Sequence, residues 1–205
     1  MPEAPALRLQ SAFGFKVWRY ERTTRLTMSA HVHADIEINY LRAGWIRYFH
    51  GGRFYEIPKG CLGVFWAGIP HQLTAHSPRF EGVWITFPVH WLLGWQIPGS
   101  FQAALLAGEL DVTRDTDPES GADEQRLASW LRAYEEGGAE QRKIVTLELE
   151  ARLRRMAAAR PAPGRKVRGG PGDGSTWQKH RRQPSPNAHG WQVNPWLAGQ
   201  QFQER

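Results

Sequence analysis

The stretch HVHADIEINY, from His31 to Tyr40, decides the fold. Its alternation puts His31, His33, Asp35, Glu37 and Asn39 on one side of an extended chain and Ile36, Ile38 and Tyr40 on the other, because successive strand side chains point to opposite faces. Alternation alone fits an ordinary half-buried strand whose polar face meets water. The residue types argue for more. Two imidazoles and a carboxylate fall within seven positions, and His71 follows later behind the rigid Pro70. Imidazole and carboxylate are the donors that borderline divalent cations accept, and three or four converging side chains suffice to hold one. The same groups could instead hydrogen-bond the hydroxyls of a small polar ligand.

Working outward, short β-favouring runs are separated by turn residues at intervals of roughly ten, the spacing of a small sandwich or barrel. Trp45 to His50 and Arg53 to Ile57 flank Gly51-Gly52, a pair suited to the positive φ angles of a tight hairpin. Further strands are predicted at Phe15 to Tyr20, Ile36 to Arg42, Cys61 to Trp66, His71 to His76 and Gly82 to Phe87. After Pro88 the apolar period lengthens to three and four residues, which predicts short helices through Leu92 and Phe101 and no further sheet. Asp111 to Ala122 reads as an acidic connector. Leu127, Trp130, Leu131 and Tyr134 then form one helical stripe, and Ile144, Leu147, Leu149, Leu153 and Met156 support a second helix beyond the Gly137-Gly138 break. Such a helical hairpin has an apolar face that needs a partner, either the sheet or a second subunit.

Composition bounds the function. The chain has 205 residues, 41% hydrophobic, enough for a sizeable core. No apolar run approaches the ~20 residues of a membrane span, and the N-terminus has no signal-peptide pattern. Cys61 is the only cysteine, which excludes an internal disulfide or a CxxC site and fits a reducing, cytoplasmic setting. The net charge of +6 lies wholly in residues 160–205, where eight basic side chains face two acidic ones. Six Pro, seven Gly and a single Leu in that segment predict a disordered basic tail, able to attract nucleic acid only weakly and with steep salt dependence.

The spacing also resembles a family. His31-x-His33-x3-Glu37-x6-Gly44 is similar to the first cupin motif, and Gly60-x5-Trp66-x-Gly68-x2-His71 to the second. Trp66 stands where that second motif usually has Pro, Ala75 where it has Asn, and Arg25 where a Gly precedes the first. The wider text, HADIEINYLRAG, the Gly-Gly hairpin, IPKGCLGVFWAGIPHQL, VWITFP, WLLGW, FQAALLAGEL and RKIVTLELEARLRRM, resembles the N-terminal sensing half of AraC-type transcription regulators, in a branch similar to regulators of melibiose operons. The resemblance runs from about Phe13 to about Ala157.

That resemblance implies a mainly β fold: a cupin-like jelly roll over residues 9–112, an α-helical hairpin for dimerisation over 118–158, and the disordered tail. It implies a small-molecule effector, with a sugar the leading candidate, and promoter DNA as a partner of the full-length family only. The expected effector-binding residues are His31, His33, Glu37, His71, Tyr40, Trp66 and Trp84, where the aromatic rings could stack on a sugar or serve as plain core. A divalent metal, held by His31, His33, Glu37 and His71, is the one cofactor the motif suggests. His50, His76 and His90 have no spacing partner and read as surface or satisfied structural residues. Leu127, Trp130, Leu131, Tyr134, Ile144 and Leu147 are the expected dimerisation residues, if they are not core. A helix-turn-helix unit has no counterpart in residues 160–205, whose Arg, Gly, Pro and Trp richness is that of a GC-rich gene read in the wrong frame. A frameshift near codon 160, removing the DNA-binding domain, is the expectation. The rival reading is a small metal-dependent cupin enzyme, a dioxygenase or sugar isomerase, for which no separate general acid or base can be placed.

Overall fold

The computed structural model describes residues 9–10, 16–22, 29–113 and 117–160. Its strands are β1 (Leu9–Gln10), β2 (Lys16–Arg22), β3 (Asp35–Ala43), β4 (Trp45–His50), β5 (Arg53–Pro58), β6 (Leu62–Trp66), β7 (His71–His76), β8 (Phe80–Pro88) and β9 (Asp111–Val112). The helices are α1 (Val89–Gly94), α2 (Gly99–Leu106), α3 (Ser120–Glu136) and α4 (Ala139–Ala159). The strands form two antiparallel sheets, one in the order β1-β2-β8-β3-β6-β9 and the other β5-β4-β7. The fold is thus the expected mainly β jelly roll followed by a helical hairpin. The sheet does not end at Pro88: after α2 the chain returns as β9 and pairs with β6, a two-residue strand too short to leave a periodic signal. What was expected beyond Arg160 lies outside the described residues. Among those residues no helix is long and apolar enough to cross a membrane.

Turn chemistry fixes the hairpins. Gly51 and Gly52 both have positive φ, +54° and +79°, which lets β4 and β5 pair in register from Trp45–Pro58 to His50–Arg53. Gly44, at φ +72°, turns β3 into β4, and a Cβ there would overlap the Ser77 hydroxyl and the Arg79 carbonyl.

Two cores result. Leu41, Ile46, Tyr48, Ile57, Phe65, Leu73 and Phe80 come from both sheets and fill the space between them. Ile36, Ile38, Tyr40, Val64, Ile85 and Phe87 come from the six-stranded sheet alone and meet the four helices on its outer face. Strand β3 is therefore buried on both sides from Ile36 to Leu41. Its apolar face looks outward to the helices, and its polar face looks inward between the sheets. This inverts the ordinary half-buried strand, because the helical layer supplies a second apolar environment.

The helical hairpin belongs to this outer core. Leu127, Trp130, Leu131 and Tyr134 of α3 are each at most 5% exposed, so these four expected dimerisation residues are already engaged within the chain. On α4 the buried stripe is Val145, Leu149, Leu153 and Met156, while Ile144 and Leu147 are 46% and 57% exposed. The reason is helical phase: positions 145, 149, 153 and 156 recur at four and three residues, whereas 144 and 147 fall on the neighbouring face. Arg152 also lies in the buried stripe. Its Nε and Nη2 donate to Asp123 Oδ1 and Oδ2 at 2.8 and 2.7 Å, and Nη2 reaches Asp117 Oδ2 at 2.9 Å. This fork ties α4 to the first turn of α3 and to the preceding connector.

A buried guanidinium that loses its carboxylate is left uncompensated, so Asp123→Ala should destabilise the chain by about 3–5 kcal/mol. Urea unfolding checks this, and the double variant Asp123→Leu/Arg152→Met should recover most of the loss. A cost below about 1 kcal/mol for Asp123→Ala would show the fork to be dispensable.

Candidate functional site

The site is assembled by backbone pairing across three strand-like segments. His31 and His71 exchange backbone hydrogen bonds of 3.0 and 3.1 Å, and His33 N–H donates to the Ala67 carbonyl at 3.0 Å. These bonds lay the segment before β3 along the free edge of β7. On the other edge His71 pairs with His50 of β4. His31, His71 and His50 consequently stand on one rung across the smaller sheet, and Glu37 meets them from the facing sheet. All four are buried: His31 is 8% exposed, Glu37 6%, His71 1% and His50 0%.

The imidazole centroids of His31 and His71 are 4.2 Å apart, those of His33 and His71 5.4 Å, and those of His31 and His33 6.0 Å. Nδ1 of His31 lies 3.1 Å from the Ser29 carbonyl, and Nδ1 of His71 lies 3.1 Å from the Ile69 carbonyl. A carbonyl only accepts, so each Nδ1 carries the proton and each Nε2 presents a lone pair. On His71 that Nε2 is buried without a hydrogen-bond partner.

Glu37 organises the other half. Its Oε1 accepts from Asn39 Nδ2 at 2.9 Å and from the Tyr48 hydroxyl at 3.1 Å, and that hydroxyl oxygen accepts from Trp84 Nε1 at 3.0 Å. Its Oε2 lies 3.3 Å from His33 Nε2 and 3.8 Å from His71 Nε2. Burial alone would raise the Glu37 carboxyl, but His33, His71 and Asn39 outweigh it and hold the group down at about 2. Burial alone would lower His33, yet Asp35, 3.5 Å from its Nδ1, and Glu37 outweigh that and lift it to about 9. His71 and His50 go the other way: burial, only partly opposed by Glu37, pushes each to about 4.

Imidazoles are donors that a divalent cation accepts, and one nitrogen from each of His31, His33 and His71 lies within 4.8 Å of the others; to ligate one ion they would have to draw in to ~4.2 Å or less, as bonds of ~2.1 Å require, and His33 would have to give up its proton. The hydrogen bonds from Nδ1 to backbone carbonyls are the outer-shell contacts that orient ligating imidazoles.

Of the residues expected at the site, His31, His33, Glu37 and His71 come together, and Trp84 joins through Tyr48. Tyr40 and Trp66 do not. Both lie on the helix-facing side of the six-stranded sheet, Tyr40 with Ile36 and Ile38, and Trp66 paired with Ile36, because strand alternation sends them away from Glu37 and Phe65. Neither reaches the imidazoles. Tyr48 and His50 were missed, and the reading of His50 as surface or satisfied is overturned: it is fully buried and neither ring nitrogen has a hydrogen-bond partner. The alternation used on β3 would have found them, since Ile46, Tyr48 and His50 share one face of β4.

A family model described as the AraC-like ligand binding domain matches residues 17–157. The melibiose operon regulatory protein of Escherichia coli (strain K12) is 28% identical over 76 residues, covering 37% of this chain and 25% of that protein. The protein of the same description from Escherichia coli O6:H1 matches over the same shares. The crystal structure of the AraC-like transcriptional activator CuxR is similar with a TM-score of 0.52 at 10% identity, over 76% of this chain and 56% of that one. The similarity to CuxR speaks for the fold alone. The matched region spans a quarter of the length of the melibiose regulators and just over half of the CuxR chain.

The imidazole environments set a pH dependence for the metal-free chain. His50 and His71 have folded pKa values below the unfolded 6.5, so the unfolded state takes up protons that the folded state refuses, and stability falls as pH drops from 6.5 toward 4. His33 works oppositely: its contribution is complete below 6.5 and is lost as pH rises through 9. Urea unfolding at pH 7 and pH 5 should show a clear acid loss, and His50→Phe should remove about 1–2 kcal/mol of it. An unchanged acid slope in that variant would contradict the buried, neutral placement of His50.

Proposed function

The chain belongs to the family of AraC-like ligand-binding domains, and on that footing we propose that it is the effector-sensing, self-associating module of a cytoplasmic transcription regulator. The observation that carries this reading is the buried polar cup: imidazoles and a carboxylate gathered between two sheets, with nitrogens that find no hydrogen-bond partner among the described residues. Buried polar groups are nearly always satisfied, so a cup of this kind is suited to a small ligand that completes it. A sugar is the effector class proposed, with His31, His33, Glu37 and His71 as its polar contacts and Trp84 close by. A divalent ion on the same quartet is compatible with sensing, as a fixed positive centre for ligand oxygens. Promoter DNA is proposed as a partner of the whole regulator through a separate unit.

Strand β3 supports a route from effector to output. Glu37 and Asn39 face the cup, while Ile36, Ile38 and Tyr40 face the helices, so the two layers are separated by one strand. An effector that prefers one position of β3 would bias how α3 and α4 pack, and only that difference in affinity can shift the equilibrium. Self-association is proposed through the face of α4 that carries Ile144 and Leu147. The rival reading, a metal-dependent enzyme, draws on the convergence of three anchored imidazoles; turnover of a substrate by metal-loaded protein would favour it.

Thermal unfolding in the presence of uncharged sugars and of Zn2+, Ni2+ or Mn2+ tests the sensing role. A ligand at a hundred times its Kd should add about 2.7 kcal/mol, and His71→Ala or Glu37→Gln should abolish the shift. Sedimentation should show a dimer that Leu147→Glu dissociates. The reading fails if no small molecule stabilises the chain.

A further inference from the structure

The cup contains polar atoms beyond the quartet that resembles the cupin motifs. Both ring nitrogens of His50, Oδ1 of Asn39 and Oγ1 of Thr86 are buried and have no hydrogen-bond partner among the described residues. Their residues are 0%, 0% and 3% exposed. His50 follows His31 and His71 on the same rung, its ring 6.3 Å from His71 and 4.9 Å from Phe65. Asn39 and Thr86 flank Glu37 on the facing sheet, Asn39 donating to its carboxylate through Nδ2 and Thr86 paired with it across β3 and β8. Leaving a buried donor or acceptor unpaired forfeits its hydration with nothing in return. Four such atoms on the walls of one interior mark a surface shaped for a partner that can both donate and accept.

Charge narrows the partner. Glu37 is a buried carboxylate, and Asp35 stands beside it across His33, whose imidazole already faces both. Among the described residues the only buried Arg or Lys is Arg152, and its guanidinium is engaged with Asp117 and Asp123 in the helical hairpin. A phosphate or carboxylate entering the cup would lose water and meet a like charge with no cationic fork to receive it. Hydroxyl groups, each a donor and an acceptor, match a ring nitrogen, an amide oxygen and a threonine hydroxyl.

Resting on the sensing role above, we propose that the cup selects an uncharged polyol over its acidic or phosphorylated derivatives, and that His50 is a specificity-determining residue hydrogen-bonded to one of the polyol's hydroxyls. Asn39 Oδ1 and Thr86 Oγ1 take further hydroxyls on the opposite wall.

The test uses the full chain after chelator treatment, titrated calorimetrically with galactose, melibiose and inositol and with the corresponding sugar phosphates and uronic acids. The expected result is binding of an uncharged member at least about tenfold tighter than of its charged counterpart, a difference of ~1.4 kcal/mol. His50→Phe should weaken that binding at least about tenfold while urea unfolding stays cooperative, and His50→Gln, which keeps a donor and an acceptor, should retain most of it. Equal or tighter binding of a charged counterpart, unchanged affinity in His50→Phe, or no binding by any uncharged member overturns the proposal. Such a failure is separable from failure of the sensing role: in the first case a ligand of another class still binds and is lost in His71→Ala, and in the second no small molecule of any class binds.

Discussion

Glu37 is a carboxylate held out of water, and the order of the cup follows from keeping it ionised there. A charge in that position has to find several hydrogen bonds and a counter-charge at once, because the interior offers no solvent to complete its shell. Asn39 and Tyr48 supply the hydrogen bonds and His33 the positive partner. Tyr48 is in turn held by Trp84. Each of these groups comes from a different strand or a different point along one, so the carboxylate acts as a register mark for β3, β4 and β8 together. His71 is kept near it by the rung with His31 and His50, so the two sheets meet through this small set of polar atoms as well as through the apolar core around them.

The same strand explains how a polar interior and a packed helical layer are joined in a chain of this size. In most sandwiches one face of each sheet is left to solvent, and the inner face is apolar. Here the outer face is apolar because helices cover it, which frees the inner face to be polar. Buried polar groups and helix packing thus occupy opposite sides of β3, and side chains one residue apart face different layers. Arg154 strengthens the outer layer by donating to the Trp95 and Gln96 carbonyls after α1, which fastens α4 to the segment that follows the sheet.

Much of this was legible in the sequence where a short-range rule governed the outcome. The alternation of His31 to Asn39 named the polar face, and the Gly51-Gly52 pair named the tightest hairpin, because both depend only on neighbouring residues. Spacing also named the quartet, since His31, His33, Glu37 and His71 are set by strand geometry and one turn. The errors came where a second layer intervened. Tyr40 and Trp66 are aromatic and close to the motif in sequence, but their parity sends them to the helices. On α4 the packed stripe lies beside Ile144 and Leu147 and includes a charged residue that no apolar pattern would select, Arg152, whose burial makes sense only with Asp123 in place. His50 was dismissed because it has no neighbour in sequence. Its partner is His71, brought alongside by strand pairing over more than twenty residues.

The seal of the cup is uneven. Most of its wall is continuous ladder, but among the described residues the segment carrying His31 and His33 is held by the His31–His71 bridge to the smaller sheet and by a bond from His33 to Ala67 just after β6. Opening a stretch held by so few bonds requires far less free energy than parting β3 from β8. The lip is therefore where exchange with bulk water begins, and amide protons at His31 and His33 would be replaced well before those of the strands behind them. Two of the three clustered imidazoles are thus carried on the most sparsely bonded part of the described wall.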